Sequence, residues 1–393
     1  MAMKAVAKIV WICLTLALST PLWLKAETLQ FDLVGQLSGW HREARDGGER
    51  TCRTGLRYIP QATLTQPLGA VNLIDLEASV RGTVLAACPK PAEEIEGDLY
   101  RLKLRFATAQ SETRIGLQKI NFGPAQLLRP LQWFDNLDPR DPLGLTDGVY
   151  ALRFRYVALN NASLWLWGLL GNDRPRGYEL LATADDRVEL GGRLQWPLPR
   201  GEGAISFHRR TVEAPALPIG PGPGDPAARE APGGECFTEN RFAVDGRWDI
   251  EIGLWFEGVL QQQRHEPLSR PWTKMMTLGG DYTLGIGNGL HLLGEHMATA
   301  SSRDATGWDE DTHVSALSLS YLLGYSDQVR AIGYYAWEEQ EYYQHLSWGR
   351  TWDHWMLQLS LFLSPDSDTG DHQTEGLRYG SGYGGQVTVI LNH

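Results

Sequence analysis

The 393-residue chain has little of what a helical membrane protein, a nucleic-acid-binding protein or a metal-binding protein needs. Beyond the N-terminus the longest apolar run, residues 162–171, is only about half of the roughly 20 residues that a membrane-spanning helix requires. The 47 acidic residues outnumber the 36 basic ones, and a net charge of -11 argues against a nucleic-acid partner. Among the four cysteines no pair has the spacing of a zinc site or a haem attachment site.

Several short motifs resemble enzyme or metal sites, and each lacks the context that its chemistry requires. The glycine pattern of residues 380–385 cannot precede a phosphate-binding helix, because the chain ends too soon after it. Residues 366–371 only partly match a calcium loop and are interpreted as a solvated acidic loop, with weak divalent-cation binding left open. Residues 291–296 lack metalloprotease spacing, and Ser206 with His208 is simple alternation. We therefore predict no catalytic residues, no metal and no cofactor.

The first 26 residues have the features of a secretory signal peptide. Lys4 and Lys8 form a charged start, residues 9–18 form an apolar stretch, and Ala26 is a small residue at a plausible cleavage point. We expect this segment to be removed from an exported protein, which leaves residues 27–393 as a single domain.

Apolar and polar residues alternate along most of the remaining chain. In residues 99–106 four apolar side chains interleave with cations, as they do in residues 152–156, and in residues 317–321 and 355–363 apolar side chains interleave with serine and glutamine. A period of two predicts β-strands with two chemically different faces. A soluble β-sandwich would also alternate, but segments of about 9 to 12 residues fit tilted strands that cross a membrane. Aromatic residues at segment ends, such as Trp165, Trp167 and Trp248, are interpreted as interfacial girdles.

Because backbone groups in lipid need internal hydrogen-bond partners, a spanning sheet must close on itself. We therefore predict an all-β fold, a transmembrane antiparallel β-barrel of about 18 strands, with 16 left open. The even count places both termini on the side of the short turns.

This architecture resembles that of Gram-negative outer-membrane porin-like barrels, over essentially the whole exported chain. Residues 116–142 look like the strand and long third extracellular loop that porins fold into their lumen, and residues 191–202 look like a strand entering a tight periplasmic turn. Such barrels usually end on an aromatic residue, whereas this chain ends on His393. The resemblance implies an outer-membrane location and an inward-folded third loop.

The sequence also predicts a pore constriction. A cationic wall is expected on three consecutive strands, and its residues are Arg101, Lys103, Arg105, Arg114, Arg153 and Arg155. The candidate loop carries three carboxylates that would face this wall, namely Asp135, Asp138 and Asp141. Opposed charges in a narrow aqueous pore select solutes by charge and dipole. The alternative, in which the loop folds outward and the three carboxylates are solvated, stays open.

The cysteines provide a check on this layout, which puts Cys52, Cys88 and Cys236 on the extracellular side. Cys52 falls at the end of the first long connection and Cys88 in the second, so we predict a disulfide between them in an exported protein. Cys236 then has no partner. Pairing from sequence alone leaves other arrangements open.

The predicted function is passive or weakly selective diffusion of small hydrophilic solutes or ions across the outer membrane. The alternative is a structural sheath that holds a partner protein, for example a multihaem cytochrome, across the membrane. The expected partners are outer-membrane lipid, small solutes and either a homo-oligomer or a protein in the lumen, with no nucleic acid. An outer-membrane hydrolase is the third option, for which the sequence singles out no Ser and His pair.

Overall fold

A computed structural model describes residues 29–88, 93–213, 218–219, 229–230, 236–264, 270–365 and 382–393. The expected signal segment 1–26 and the acidic segment 366–371 lie outside these residues. No helix in the described part of the chain is long and apolar enough to cross a membrane.

Eighteen strands, here named β1 to β18, form one sheet. The first nine are β1 Gln30–Asp46, β2 Glu49–Leu68, β3 Asn72–Cys88, β4 Glu93–Ala107, β5 Ser111–Gln118, β6 Val149–Val157, β7 Ser163–Leu169, β8 Glu189–Leu198 and β9 Gly201–Glu213. The second nine are β10 Cys236–Asp249, β11 Gly253–Arg264, β12 Trp272–Leu284, β13 Leu290–Ser302, β14 Glu310–Leu322, β15 Asp327–Ala336, β16 Glu341–Thr351, β17 Trp355–Leu363 and β18 Tyr383–Asn392. A separate two-residue ladder joins Pro218–Ile219 to Arg229–Glu230.

The sheet closes because its first strand pairs with its last. Gly39 of β1 lies opposite Leu56 of β2 on one side and opposite Val389 of β18 on the other. Every strand runs antiparallel to its neighbours along the chain, including β9 and β10 on either side of residues 214–235. Closure gives the strand backbones hydrogen-bond partners within the sheet. The predicted antiparallel barrel of 18 strands is confirmed.

The two rims of the barrel differ in the length of their connections. At one rim eight connections span two to five residues each, and β1 begins and β18 ends there. At the other rim the connections include residues 119–148, 170–188 and 214–235. Short turns mark the periplasmic rim of bacterial barrels, so we call these the short-turn rim and the long-loop rim.

Strands β1 to β4 are 15 to 20 residues long, whereas β5 to β7 have only 7 to 9 residues. The turn between β1 and β2 consists of Gly47 and Gly48, with φ angles of 56° and 88°. Positive φ at both central residues suits the two-residue turn of a twisted hairpin, and glycine adopts it without strain. The expected long connection before Cys52 is therefore wrong, because pairing continues through it.

The alternation separates an exposed apolar outer face from a buried inner face. Leu317 and Leu361 point outward and are 51% and 61% exposed, whereas the intervening Ser318 and Ser360 are buried. Two of the aromatic residues interpreted as girdle residues belong to the inner face instead: Trp165 and Trp167 are 9% and 3% exposed.

Residues 119–148, here called the inner segment, form much of the apolar core. Phe122, Trp133 and Phe134 pack in one buried cluster with residues of β6, β7 and β10 to β12. Leu127 and Leu128 pack in a second cluster with residues of β11 and β13 to β16. The inner segment thus contacts a wide arc of the inner face, which extends from β6 to β16.

Candidate pore constriction

The backbone of the inner segment is held by two carboxylates on the opposite wall. Glu295 of β13 accepts hydrogen bonds from the N–H groups of residues 126, 127 and 128, at 2.7, 2.9 and 2.6 Å. Glu257 of β11 accepts from the N–H groups of Ala125 and Leu131, at 2.8 and 3.0 Å. Bonds to an ionised acceptor are shorter and stronger than neutral ones. These five bonds tie the segment to strands far from its own attachment at β5 and β6.

Aromatic packing holds the other side of the inner segment. The ring of Phe122 stacks on Trp167 of β7 with centroids 5.6 Å apart, and Phe134 meets the same indole edge to face at 5.5 Å. His208 of β9 lies 5.1 Å from Phe134 and is oriented by Glu189, 3.0 Å away. Gly191 provides the space for this packing, because a Cβ there would lie 2.7 Å from an indole carbon of Trp167.

The six predicted cations lie on β4, β5 and β6, and most of them are paired with acids of neighbouring strands. Lys103 meets Glu77 at 2.8 Å and Arg105 meets Asp75 at 2.5 Å, both on β3. Glu112 of β5 pairs with two further members of the set, Arg114 and Arg153. Asp75, Glu77 and Glu112 were missing from the sequence prediction, and they neutralise part of the expected cationic wall.

The remaining two cations have other contacts. Arg101 is buried and donates to the carbonyl oxygens of Thr146, at 2.7 Å, and of Tyr100. Arg155 lies over the ring of Trp165, 4.9 Å from its centroid. Of the six, Arg101 therefore contacts the inner segment directly.

The three predicted carboxylates lie in the inner segment, where each of them has a partner close by in the chain. Asp135 pairs with Arg129 at 2.9 Å and Asp138 pairs with Arg140 at 2.8 Å. Asp141 accepts hydrogen bonds from backbone N–H groups two and four residues further along the chain. Burial raises the pKa of the Asp141 carboxyl above its usual value of 3.8. All three therefore have partners within the segment, and the expected opposition to the six cations across the lumen stays a prediction.

A polar cavity lies between the inner segment and the barrel wall. A cavity of about 220 Å³ separates residues 139–142 from the inner faces of β15, β16 and β17. Its lining is mainly polar and includes Gln328, Arg330, Ser347 and Gln358. The wall of this cavity is therefore hydrophilic, whereas the inner face from β6 to β14 is covered by buried side chains, both apolar and charged.

Arg330 is the arginine that strands β15 to β17 contribute to the wall of this cavity, and Arg140 and Asp141 of the inner segment also line it. The Arg330 guanidinium donates to the Pro139 carbonyl oxygen at 3.1 Å and to Ser318 Oγ at 3.2 Å. Within the described residues no carboxylate forms an ion pair with it. Sequence reasoning missed Arg330, although the alternation of Gln328, Arg330 and Ile332 with small outward residues contained the signal.

Cys52 and Cys88 occupy directly opposed positions in β2 and β3 and are joined by a disulfide, with Cα atoms 5.0 Å apart. Both lie inside strands near the long-loop rim rather than in connections. Cys236 is an exposed free thiol at the start of β10.

No protein-family model and no curated protein matches the chain. Solved structures of outer-membrane proteins match it. OccAB1 of Acinetobacter baumannii is 6% identical, with a TM-score of 0.59 over 94% of this chain and 98% of that one. OccD3 (OpdP) of Pseudomonas aeruginosa is 9% identical, with a TM-score of 0.54 over 93% and 92%. Outer-membrane expressed OmpT of Vibrio cholerae is 13% identical, with a TM-score of 0.50 over 94% and 99%. The predicted porin-like barrel fold is thereby confirmed.

Proposed function

We propose that the chain is an outer-membrane channel for passive or weakly selective diffusion of small hydrophilic solutes or ions. The polar cavity between residues 139–142 and strands β15 to β17 carries this proposal, because it offers hydrophilic space beside the packed inner segment. The exposed apolar outer face supports a location in lipid, and the porin-type fold favours the outer membrane of a Gram-negative bacterium.

The packed inner segment favours a channel over a sheath for a partner protein. Residues 119–148 contact the inner face from β6 to β16, so a multihaem domain would have to displace two buried clusters. Displacement would expose Leu128, Leu131 and Phe134, which are at most 2% exposed. Burial of each such side chain stabilises the docked segment by about 1.5–3 kcal/mol.

Planar-bilayer recordings of the purified full-length protein test the proposal. We expect ion currents, and we expect Arg330→Gln to raise the cation-to-anion permeability ratio because it removes a positive charge from the cavity wall. A unit charge at about 4 Å in water is worth about 1 kcal/mol, which corresponds to a change of up to about fivefold. Lys274→Gln is the matched control, because Lys274 lies outside the lumen at the long-loop rim, bonded to Ser302 and Gly307.

The six cations predicted from the sequence remain proposed pore-lining residues and need a separate test. Neutralising Arg101, Arg105 and Arg153 together should also change the permeability ratio if they belong to the narrowest part. An unchanged ratio would remove them from the constriction and leave the cavity beside Arg330 as the selective region. Absence of any current from folded protein would contradict the channel function itself.

A further inference from the structure

Five polar side chains form a continuous hydrogen-bonded chain on the outer face of the barrel. Ser315 Oγ lies 2.9 Å from His296 Nδ1, and His296 Nε2 lies 3.2 Å from His313 Nδ1. His313 Nε2 lies 3.2 Å from Asp311 Oδ2, and the indole N–H of Trp337 donates to Ser315 Oγ at 2.9 Å. Residues 313 and 315 face outward on β14, because Ala316 and Ser318 are buried on the inner face.

The ends of this chain fix the direction of every bond in it. An ionised Asp311 only accepts, so His313 donates through Nε2 and accepts at Nδ1. His296 then donates through Nε2, and its Nδ1 is the acceptor for the Ser315 hydroxyl proton. The Trp337 indole only donates, so it bonds to the Ser315 oxygen without competing for that proton. The Ser315 hydroxyl thus points at Nδ1 of His296. The Asp311 carboxylate orients this imidazole through the ring of His313.

This hydrogen-bonded chain of side chains lies on the lipid-facing surface, which is ordinarily apolar. Leu317, Trp337 and Tyr342 point outward around it and are 51%, 53% and 58% exposed. A single polar residue near the aromatic rim of a barrel needs no special explanation. A hydroxyl, a base and an oriented acid in sequence form the arrangement that activates a serine nucleophile.

We propose that Ser315 and His296 form a hydrolytic site for acyl esters of membrane lipids, with His313 and Asp311 as positioning residues. The site faces lipid at the long-loop rim, so the ester that reaches it is one at the boundary between headgroup and acyl chain. Gly294, which lies opposite Leu317, leaves the surface open below His296, because no atom lies within 4 Å of its Cβ position. An acyl chain can lie in this space.

The reaction follows the direction of the hydrogen bonds. Ser315 Oγ attacks the ester carbonyl carbon while its proton passes to His296 Nδ1. The tetrahedral intermediate collapses, the C–O bond to the alcohol breaks, and His296 returns the proton to the departing oxygen. Water then attacks the acyl-serine and gives a proton to His296, and collapse releases the fatty acid and restores the Ser315 hydroxyl. The indole N–H of Trp337 bonds to Ser315 Oγ and therefore lies beside the attacking oxygen.

Fatty-acid release from vesicles tests this site with the full-length protein in detergent or reconstituted. Vesicles of ester-linked phosphatidylethanolamine and phosphatidylglycerol should release fatty acid, and ether-linked analogues should release none. Ser315→Ala and His296→Ala should each lower the rate by on the order of a hundredfold or more. Ser320→Ala is the matched control, because Ser320 lies on the same strand with the opposite facing, and its rate should stay at the wild-type value.

Two further measurements separate catalysis from a purely structural role. A fluorophosphonate probe should label Ser315 in the wild type and not in His296→Ala. Asp311→Asn should lower the rate and move the acid limb of the pH–rate profile, because the imidazole chain loses its anion. Wild-type protein that conducts ions but neither releases fatty acid nor reacts with the probe would overturn the proposal, as would hydrolysis by Ser315→Ala at the wild-type rate. Conductance of each variant reports separately on folding and on channel function.

Discussion

The attachment of the inner segment at Glu295 can be tested by a change of one functional group, Glu295→Gln. The carboxylate is 4% exposed and accepts four hydrogen bonds, three from the backbone of residues 126–128 and one from Trp255 Nε1 at 3.0 Å. Two of the four reach each carboxylate oxygen. Glutamine keeps the shape of the side chain and one acceptor oxygen, and it places an NH₂ group where the second oxygen was.

The size of the effect follows from the bonds that are lost. Two bonds to a charged acceptor disappear, and each contributes about 1.5–3 kcal/mol. The docked position of the inner segment should therefore be destabilised by about 3–6 kcal/mol relative to an undocked one. Even 3 kcal/mol raises the undocked population about 150-fold.

Single-channel recording is the assay, because the inner segment borders the cavity at residues 139–142. Glu295→Gln should show larger and noisier conductance steps than the wild type, and its inner segment should be cut faster by protease. Asp281→Asn is the control: it is also a carboxylate change on the same wall, but Asp281 pairs with His291 and not with the segment. Identical conductance, noise and protease resistance in Glu295→Gln and wild type would refute the role of Glu295.

Three further changes have clear expected outcomes. Cys52→Ala removes the disulfide and should lower the stability of the long-loop end by about 2–4 kcal/mol. The measurement is faster proteolysis of that end, or its unfolding at a lower denaturant concentration. Gly191→Ala should lower the thermal midpoint because its Cβ meets Trp167, whereas Gly82→Ala, with no atom within 4 Å, should leave the midpoint unchanged. Burial raises the pKa of Asp141, so its charge at pH 7 destabilises the folded state. This cost disappears as the carboxyl is protonated when the pH falls towards its ordinary pKa of 3.8. Asp141→Asn should therefore raise the thermal midpoint at pH 7 and leave it unchanged near pH 3.

The strands could be predicted because lipid and water impose opposite demands on alternate residues. Leu152 is 52% exposed and Arg153 is 5% exposed, as the period of two requires. The prediction failed where strands leave the membrane. The segment from His41 to Thr51 contains no large apolar residue, so the alternation that marks the rest of β1 and β2 disappears although the pairing continues.

The contacts of the constriction were harder to predict, because they depend on which charges meet in three dimensions. Asp135 pairs with Arg129, six residues away in the chain, rather than with the distant wall. The pairing register of β3 and β4 could have revealed one acidic partner of the six cations, because Glu77 lies directly opposite Lys103. No pattern in the sequence shows that the carboxylate of Glu257 binds backbone N–H groups of a distant segment.

The alternation of the strand also explains how one element can serve two separate purposes. Glu295 and His296 are neighbours in β13, yet the first binds the inner segment and the second contacts Ser315 on the outer face. Successive side chains of a strand point to opposite faces, so the sheet lies between the two sites. Glu295→Gln should therefore change conductance without changing ester hydrolysis, and His296→Ala should do the reverse. A change in both properties from either substitution would mean that the two faces are coupled through the sheet.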